Sequence, residues 1–151
     1  MTIYTSVPPA ILRRSHADVE QLTQPIHVAI RGRIITHPPL LDQLRAAATP
    51  SRQQQGPERR SVAKSKPPLV VDAVDAHATI LVELSGWHAR LTLPSPPAGQ
   101  DWQKTVMRTL ASRLADLAPA IADWAARDIQ EWWRLAAVHT GWRTQDLLKL
   151  R

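Results

Sequence analysis

Cysteine is absent from the 151 residues. No disulfide and no thiolate metal site can therefore form, and a reducing compartment suits the chain. Phenylalanine is absent too, and tyrosine occurs once, so aromatic bulk falls to the six tryptophans. The five glycines are too few and too separated to make a loop that cradles a phosphate. No apolar run approaches the roughly 18–20 residues of a membrane-spanning helix, and no membrane contact is expected. The opening stretch MTIYTSVPPAILRRSHADVE has no apolar segment followed by a small-residue cleavage site, so no signal peptide is expected. The expected setting is the cytoplasm or the inside of a particle.

Recognisable enzyme chemistry is missing as well. His16, His27, His37, His77, His88 and His139 are scattered, and none stands at a metal-ligand spacing with a second ligand. Ser61, Ser85 and Ser112 sit in no nucleophile-elbow context. The chain is read as a non-enzyme with no cofactor, no metal and no catalytic residue.

Charge is present and uneven. Up to Leu69 the chain holds ten basic residues and four acids, whereas from Val70 onward nine bases balance nine acids. The whole net charge of +6 thus lies in the first part, which points to a polyanion or an acidic protein as partner. Its densest piece is ERRSVAKSKPP, with Arg59, Arg60, Lys64 and Lys66, preceded by Arg52 in SRQQQGP.

A chain of this length forms one domain, or one domain with an arm. TSVPPAILRRS reads as an irregular arm, since a proline pair cannot continue a helix. SHADVEQLTQ reads as a short helix capped by Ser15, with Asp18 in its first turn. Ile26, Val28 and Ile30 alternate with His27, Ala29 and Arg31 until Gly32 interrupts, which predicts one or two short strands with a tight turn or bulge at the glycine. Such a hairpin needs helices to pack on. HPPLLDQLRAAA predicts a helix with Leu40, Leu41 and Leu44 inward. Residues 49–68 read as a basic flexible linker too polar to bury.

After the linker, LVVDAVDAHATILVELSGWHARL predicts a helix with Asp72, Asp75, Thr79 and Glu83 on one stripe. Val71, Val74, Ala78, Leu81 and Val82 occupy the other side. Asp101 should cap WQKTVMRTLASRLADL, along which Trp102, Val106, Leu110, Leu114 and Leu117 keep helical spacing. Pro119 should break or restart the helix, and Gly141 should end the next one in the left-handed conformation. RTQDLLKLR predicts a last short helix capped by Thr144. The expected fold is mainly α: a small helical bundle with a short N-terminal β element and a basic linker. The expected parts are 1–48, an N-terminal arm with short helices and the β element, 49–68, the linker, and 69–151, the helical body.

Trp124, Trp132, Trp133 and Trp142 crowd one stretch, and Trp124, Asp128 and Trp132 share a helix face. They are either core filler in an Ala-rich helix or an aromatic patch that binds a partner or stacks on bases. Asp128 could bond an indole N–H. The same stretch allows a helix-turn-helix about Gly141. Ala137 precedes the glycine where helices approach, and Leu147 and Leu150 follow where the second helix is pinned. Arg143, Thr144, Gln145 and Lys149 would then face a groove, with Gln and Arg able to read base edges. Any helix–Gly–helix corner shares much of this pattern.

LTQPIHVAI, HPPLLDQLRAAATPS, ERRSVAKSKPPLVVDAVD and IADWAARDIQEWWRL, in that order, resemble small proteins encoded by actinobacterial phages that carry a domain of unknown function. The resemblance spans about Gln21 to Gly141 and implies no catalytic residue. Such proteins often continue into a Cys-x-x-Cys tail similar to a zinc ribbon, and this sequence departs from them by ending at LLKLR without cysteine.

Two functions follow as expectations. One is a non-enzymatic nucleic-acid-binding accessory protein, with DNA favoured over RNA. Arg52, Arg59, Arg60, Lys64 and Lys66 would contact phosphates, helped by Arg31 and Arg33, while the C-terminal helices, with Arg143, Gln145 and Lys149 as nucleic-acid-binding residues, give orientation. The other is a virion structural or assembly protein whose arm and tryptophan face pack on neighbouring subunits, as a homo-oligomer or among virion proteins. The setting would be the host cytoplasm or the virion interior. The basic stretch can also be a plain solvated tether.

Overall fold

The computed structural model describes residues 6–49 and 68–151. Its elements run α1 (Pro9–Thr23), β1 (Ile26–Ile30), β2 (Arg33–His37), α2 (Leu40–Ala48), α3 (Pro68–Arg90), α4 (Trp102–Arg113), a 3₁₀ turn (Leu114–Asp116), α5 (Pro119–His139) and α6 (Thr144–Lys149). The fold is mainly α with one two-stranded antiparallel sheet, as the sequence pattern predicts. Apart from Thr49 and Pro68, the expected linker 49–68 lies outside the described residues. So do Arg52, Arg59, Arg60, Lys64 and Lys66.

The proline pair starts a helix rather than preventing one. Pro8 is extended at the N-cap and Pro9 is the first helical residue, where a missing N–H costs no hydrogen bond. α1 therefore absorbs most of the stretch expected to be an irregular arm. Ser15, expected as a cap, and Asp18, expected in a first turn, are buried in the helix interior.

The β1–β2 hairpin pairs Ile26 with His37 and Ile30 with Arg33. Arg31 and Gly32 close it, both left-handed, with φ of 51° and 77°, the mark of a type I′ turn. Glycine adopts this conformation freely, whereas an arginine there gives up roughly 1 kcal/mol. Only the base packs on helices: Ile26 is buried and Val28 half-buried, while Ile30, Ile34 and Ile35 are exposed.

α2 turns Leu40, Leu41 and Leu44 inward. α3 reverses the expected face. It buries Ala73, Ala76, Ile80, Leu84 and Trp87, while Val74, Ala78, Leu81 and Val82 face outward. The Val71 side chain is not among those described. α3 is apolar on two sides, and the side carrying Ala73 and Ala76 faces its partners because small residues permit close approach while Ile80, Leu84 and Trp87 fill the space between. Asp101 caps α4 as expected, its Oδ1 accepting from the Lys104 N–H at 3.1 Å. Pro119 opens α5 as its first residue.

α1 packs on α4 and α5, α2 on α3 and α5, and α3 on α5. Leu22, Leu41, Ile80, Met107, Leu110, Ile129 and Trp132 belong to one core. The front elements are thus built into the body rather than appended to it. Among the described residues no helix is long and apolar enough to cross a membrane.

Candidate nucleic-acid interface

The α5–α6 corner is built by a Schellman cap. Gly141, at φ 85°, lets the Trp142 N–H reach the Ala137 carbonyl at 2.9 Å and its own N–H reach Val138 at 3.3 Å, satisfying carbonyls the helix leaves over. Ala137 and Leu147 are buried and Leu150 is half-buried. The spacing about Gly141 thus makes the corner that the sequence suggests. Arg143, Gln145 and Lys149 are exposed, and Thr144 is half-buried. Thr144 is not the cap: it is the first helical residue, and Arg143 holds the N-cap position without a side-chain bond. At six residues, α6 is roughly 9 Å long, so only its first turn could reach base edges.

Trp142 fixes this corner to two neighbours. Its Nε1–H donates to Gln43 Oε1 on α2 at 2.8 Å, and its ring meets the His37 ring edge-on at 5.0 Å. Between α2 and the corner lies a groove of about 550 Å³, lined by Gln43, Ala46, Ala47, Val138, His139, Thr140 and Gly141. The chain leaves the α2 wall of this groove at Thr49 and enters the basic segment. At the other end of α6, Leu150 and Arg151 share a cleft with Ile26 and His27. The hairpin base therefore flanks α6 at both ends.

The cations of the corner and of the hairpin are only partly neutralised among the described residues. Arg31, Arg33 and Arg143 make no ion pair among the described residues, and Lys149 stands 3.9 Å from Asp146. Arg13, Arg14, Arg90, Arg108 and Arg113 likewise make no ion pair among the described residues, whereas a set of ions between α2, α4 and the α1–α5 face is paired and structural. The Arg45 guanidinium donates to both oxygens of Asp101 at 2.5 and 2.9 Å and to Gln103 Oε1. Lys104 meets Asp42 at 2.9 Å. These bonds clamp α2 to α4, and the Arg45 guanidinium holds the Asp101 carboxyl down at about 2. Arg151 donates to the buried Asp18 and lies over the Trp133 ring at 4.8 Å. Burial raises the Asp18 carboxyl, and Arg151 opposes that rise. Burial also raises Glu83, with the nearby Asp128 charge adding to it.

The four tryptophans do not form a shared surface. Trp132 and Trp133 are buried, Trp142 is half-buried, and Trp124 is 48% exposed. An aromatic patch made of all four is therefore ruled out by packing: this Ala-rich helix uses its large rings to fill space. Their N–H groups tie elements together. Trp133 donates to Gln21 at 2.7 Å, Trp132 approaches Glu83 at 3.4 Å, and Trp87 donates to Asp128 at 2.7 Å. Trp124 meets Trp87 edge-on, with Arg90 stacked over it at 4.2 Å. Asp128 does accept an indole bond, but from α3 rather than from its own helix.

Sequence reasoning did not anticipate the Arg45–Asp101 clamp or the Gln21 and Gln43 partners. The available signal was the pair of i, i+3 charges, Asp42 with Arg45 and Asp101 with Lys104. Among the described residues, no group of three or more His, Cys, Asp or Glu could hold a metal ion.

The family described as Domain of unknown function (DUF7341) matches residues 9–146. The chain belongs to that family. No curated protein and no solved structure matches it.

Proposed function

We propose that this chain is a non-enzymatic nucleic-acid-binding accessory protein that grips phosphates through its basic segment. One observation carries the reading. Residues 50–67 hold Arg52, Arg59, Arg60, Lys64 and Lys66 against the single acid Glu58, and they continue from the wall of a groove whose far side is the α5–α6 corner. Arg143, with no ion pair among the described residues, and the exposed Gln145 and Lys149 stand at that corner. Phosphate contacts from the segment would supply affinity, and the short helix would supply orientation. DNA is favoured over RNA because the B-form major groove admits a helix, whereas the A-form one is too narrow. The shared pattern with actinobacterial-phage proteins supports a phage origin, with action in the host cytoplasm or in the virion.

The test is light scattering after size exclusion, at low and high salt, with and without a short DNA duplex. Co-elution at low salt that fades steeply with salt, and is lost when Arg59, Arg60, Lys64 and Lys66 are changed to Gln, is the expected result. A DNA-indifferent chain refutes the reading. A second reading, virion assembly, is favoured by the outward apolar stripe of α3, where Val82 is 70% exposed. It predicts a salt-tolerant oligomer instead.

A further inference from the structure

We infer that the β1–β2 hairpin is an arm that enters the minor groove of duplex DNA, with Arg31 and Arg33 as its cations and Ile34 as an apolar wedge. This rests on the nucleic-acid reading above and adds the groove, the residues and a mechanical effect on the duplex.

The hairpin is longer than packing requires. Its register puts Ile26, Val28 and Ile30 on one face with His37, Ile35 and Arg33, and puts His27 and Ala29 on the other with Thr36 and Ile34. The first face begins in the core at Ile26 and has left it by Ile30. The second face is exposed along its length, and Ile34 is 74% exposed, the highest value among the large apolar side chains described. Strand propensity accounts for a β-branched residue there, but threonine would serve as well without exposing a hydrocarbon.

The turn repeats the anomaly. Its first central position belongs by conformation to Asn, Asp or Gly, yet Arg31 occupies it at φ 51°. A cation is thus kept at the cost of strain, at the end of a ribbon of five-residue strands that reaches roughly 16 Å. Neither Arg31 nor Arg33 has an acidic partner among the described residues. The narrow minor groove concentrates negative potential that draws arginine, and proteins that bind there insert apolar side chains between base steps and kink the duplex. Two arginines at the turn end, with an exposed isoleucine next in sequence on the second face, supply the side-chain types of that chemistry. The arm is also anchored beside the candidate interface, through the edge-on contact of His37 with Trp142 and the burial of Ile26, so the tip and α6 present to the same partner.

The experiment uses the full chain with end-labelled A·T-rich and G·C-rich duplexes of about two helical turns. Bending is read by energy transfer between the duplex ends, and affinity by anisotropy across salt. The expected result is a bend and a preference for the A·T duplex. Ile34→Thr should keep most of the affinity and lose the bend. Arg33→Gln should weaken binding and reduce the salt slope by about 1. Arg31→Asn relieves the strained turn, so it should raise Tm by about 2–4 °C while weakening binding, an opposition that a merely structural hairpin would not show. Binding with no bend, no A·T preference and no change in the three variants overturns the inference and leaves the basic-segment reading standing. Hairpin variants that change only the oligomeric state overturn it in favour of a protein contact. A wild-type chain that binds neither duplex at any salt overturns both readings.

Discussion

The indole N–H of Trp133 donates to Gln21 Oε1 at 2.7 Å, and the same Gln21 amide donates to the Leu147 carbonyl at 2.8 Å. One buried side chain on α1 thus joins α5 to α6. Gln21→Leu keeps the volume but orphans the indole N–H, and should cost about 1–3 kcal/mol in denaturant unfolding. Because α6 makes few other contacts, hydrogen exchange should rise in α6 more than in α1. Equal change in both would contradict the tie.

Acid stability should reflect two carboxylates of opposite sign. Asp101 is depressed from 3.8 to about 2, so the stability it contributes is present above its unfolded value and fades as pH falls toward about 2. Asp18 is raised, so the folded state holds its proton more tightly, and its effect on stability is unfavourable as pH rises above the unfolded value. Asp101→Asn should flatten the acid limb of stability against pH. Asp18→Asn should remove the loss of stability that sets in as pH rises above the ordinary carboxylate value. Both are read by urea midpoints across pH.

Gly141→Ala meets no atom within 4 Å of the added Cβ, so its cost is conformational alone. Forcing alanine into φ 85° should destabilise the chain by about 1 kcal/mol. A loss near zero would mean the corner is not left-handed in solution.

The register of α3 can be tested by a pair of changes two residues apart on opposite faces. Ile80→Ala empties a fully buried site and should cost about 2–5 kcal/mol. Val82→Ala, at an exposed site, should stay within about 0.5 kcal/mol. The reverse order would restore the face that sequence periodicity favours.

That last case marks the limit of what the sequence makes legible. α4, α5, their proline and aspartate boundaries, and the Gly141 cap are local events, written in residues that act on their nearest neighbours. The turn at Gly32 is of the same kind. α3 is apolar on two sides, so its orientation depends on which side fits α2 and α5, and periodicity alone does not carry that. The Pro8–Pro9 pair is ambiguous in the same way, since proline ends one helix and begins another. At the candidate interface, the corner residues and the exposure of Arg143, Gln145 and Lys149 follow from spacing. The nearness of α2 and the hairpin to α6 follows from Trp142 meeting Gln43 and His37, contacts between residues about a hundred positions apart.

The packing of α1 and α2 against α5 bears on how the chain is born. During synthesis the N-terminal helices leave the ribosome well before the helix that covers them. Leu22, Leu41 and Leu44 stay without their final neighbours until α5 has emerged, and loop closure over that distance delays the last docking step. A stalled or shortened nascent chain would present those leucines to chaperones, and the fold becomes self-sufficient only once α5 has emerged.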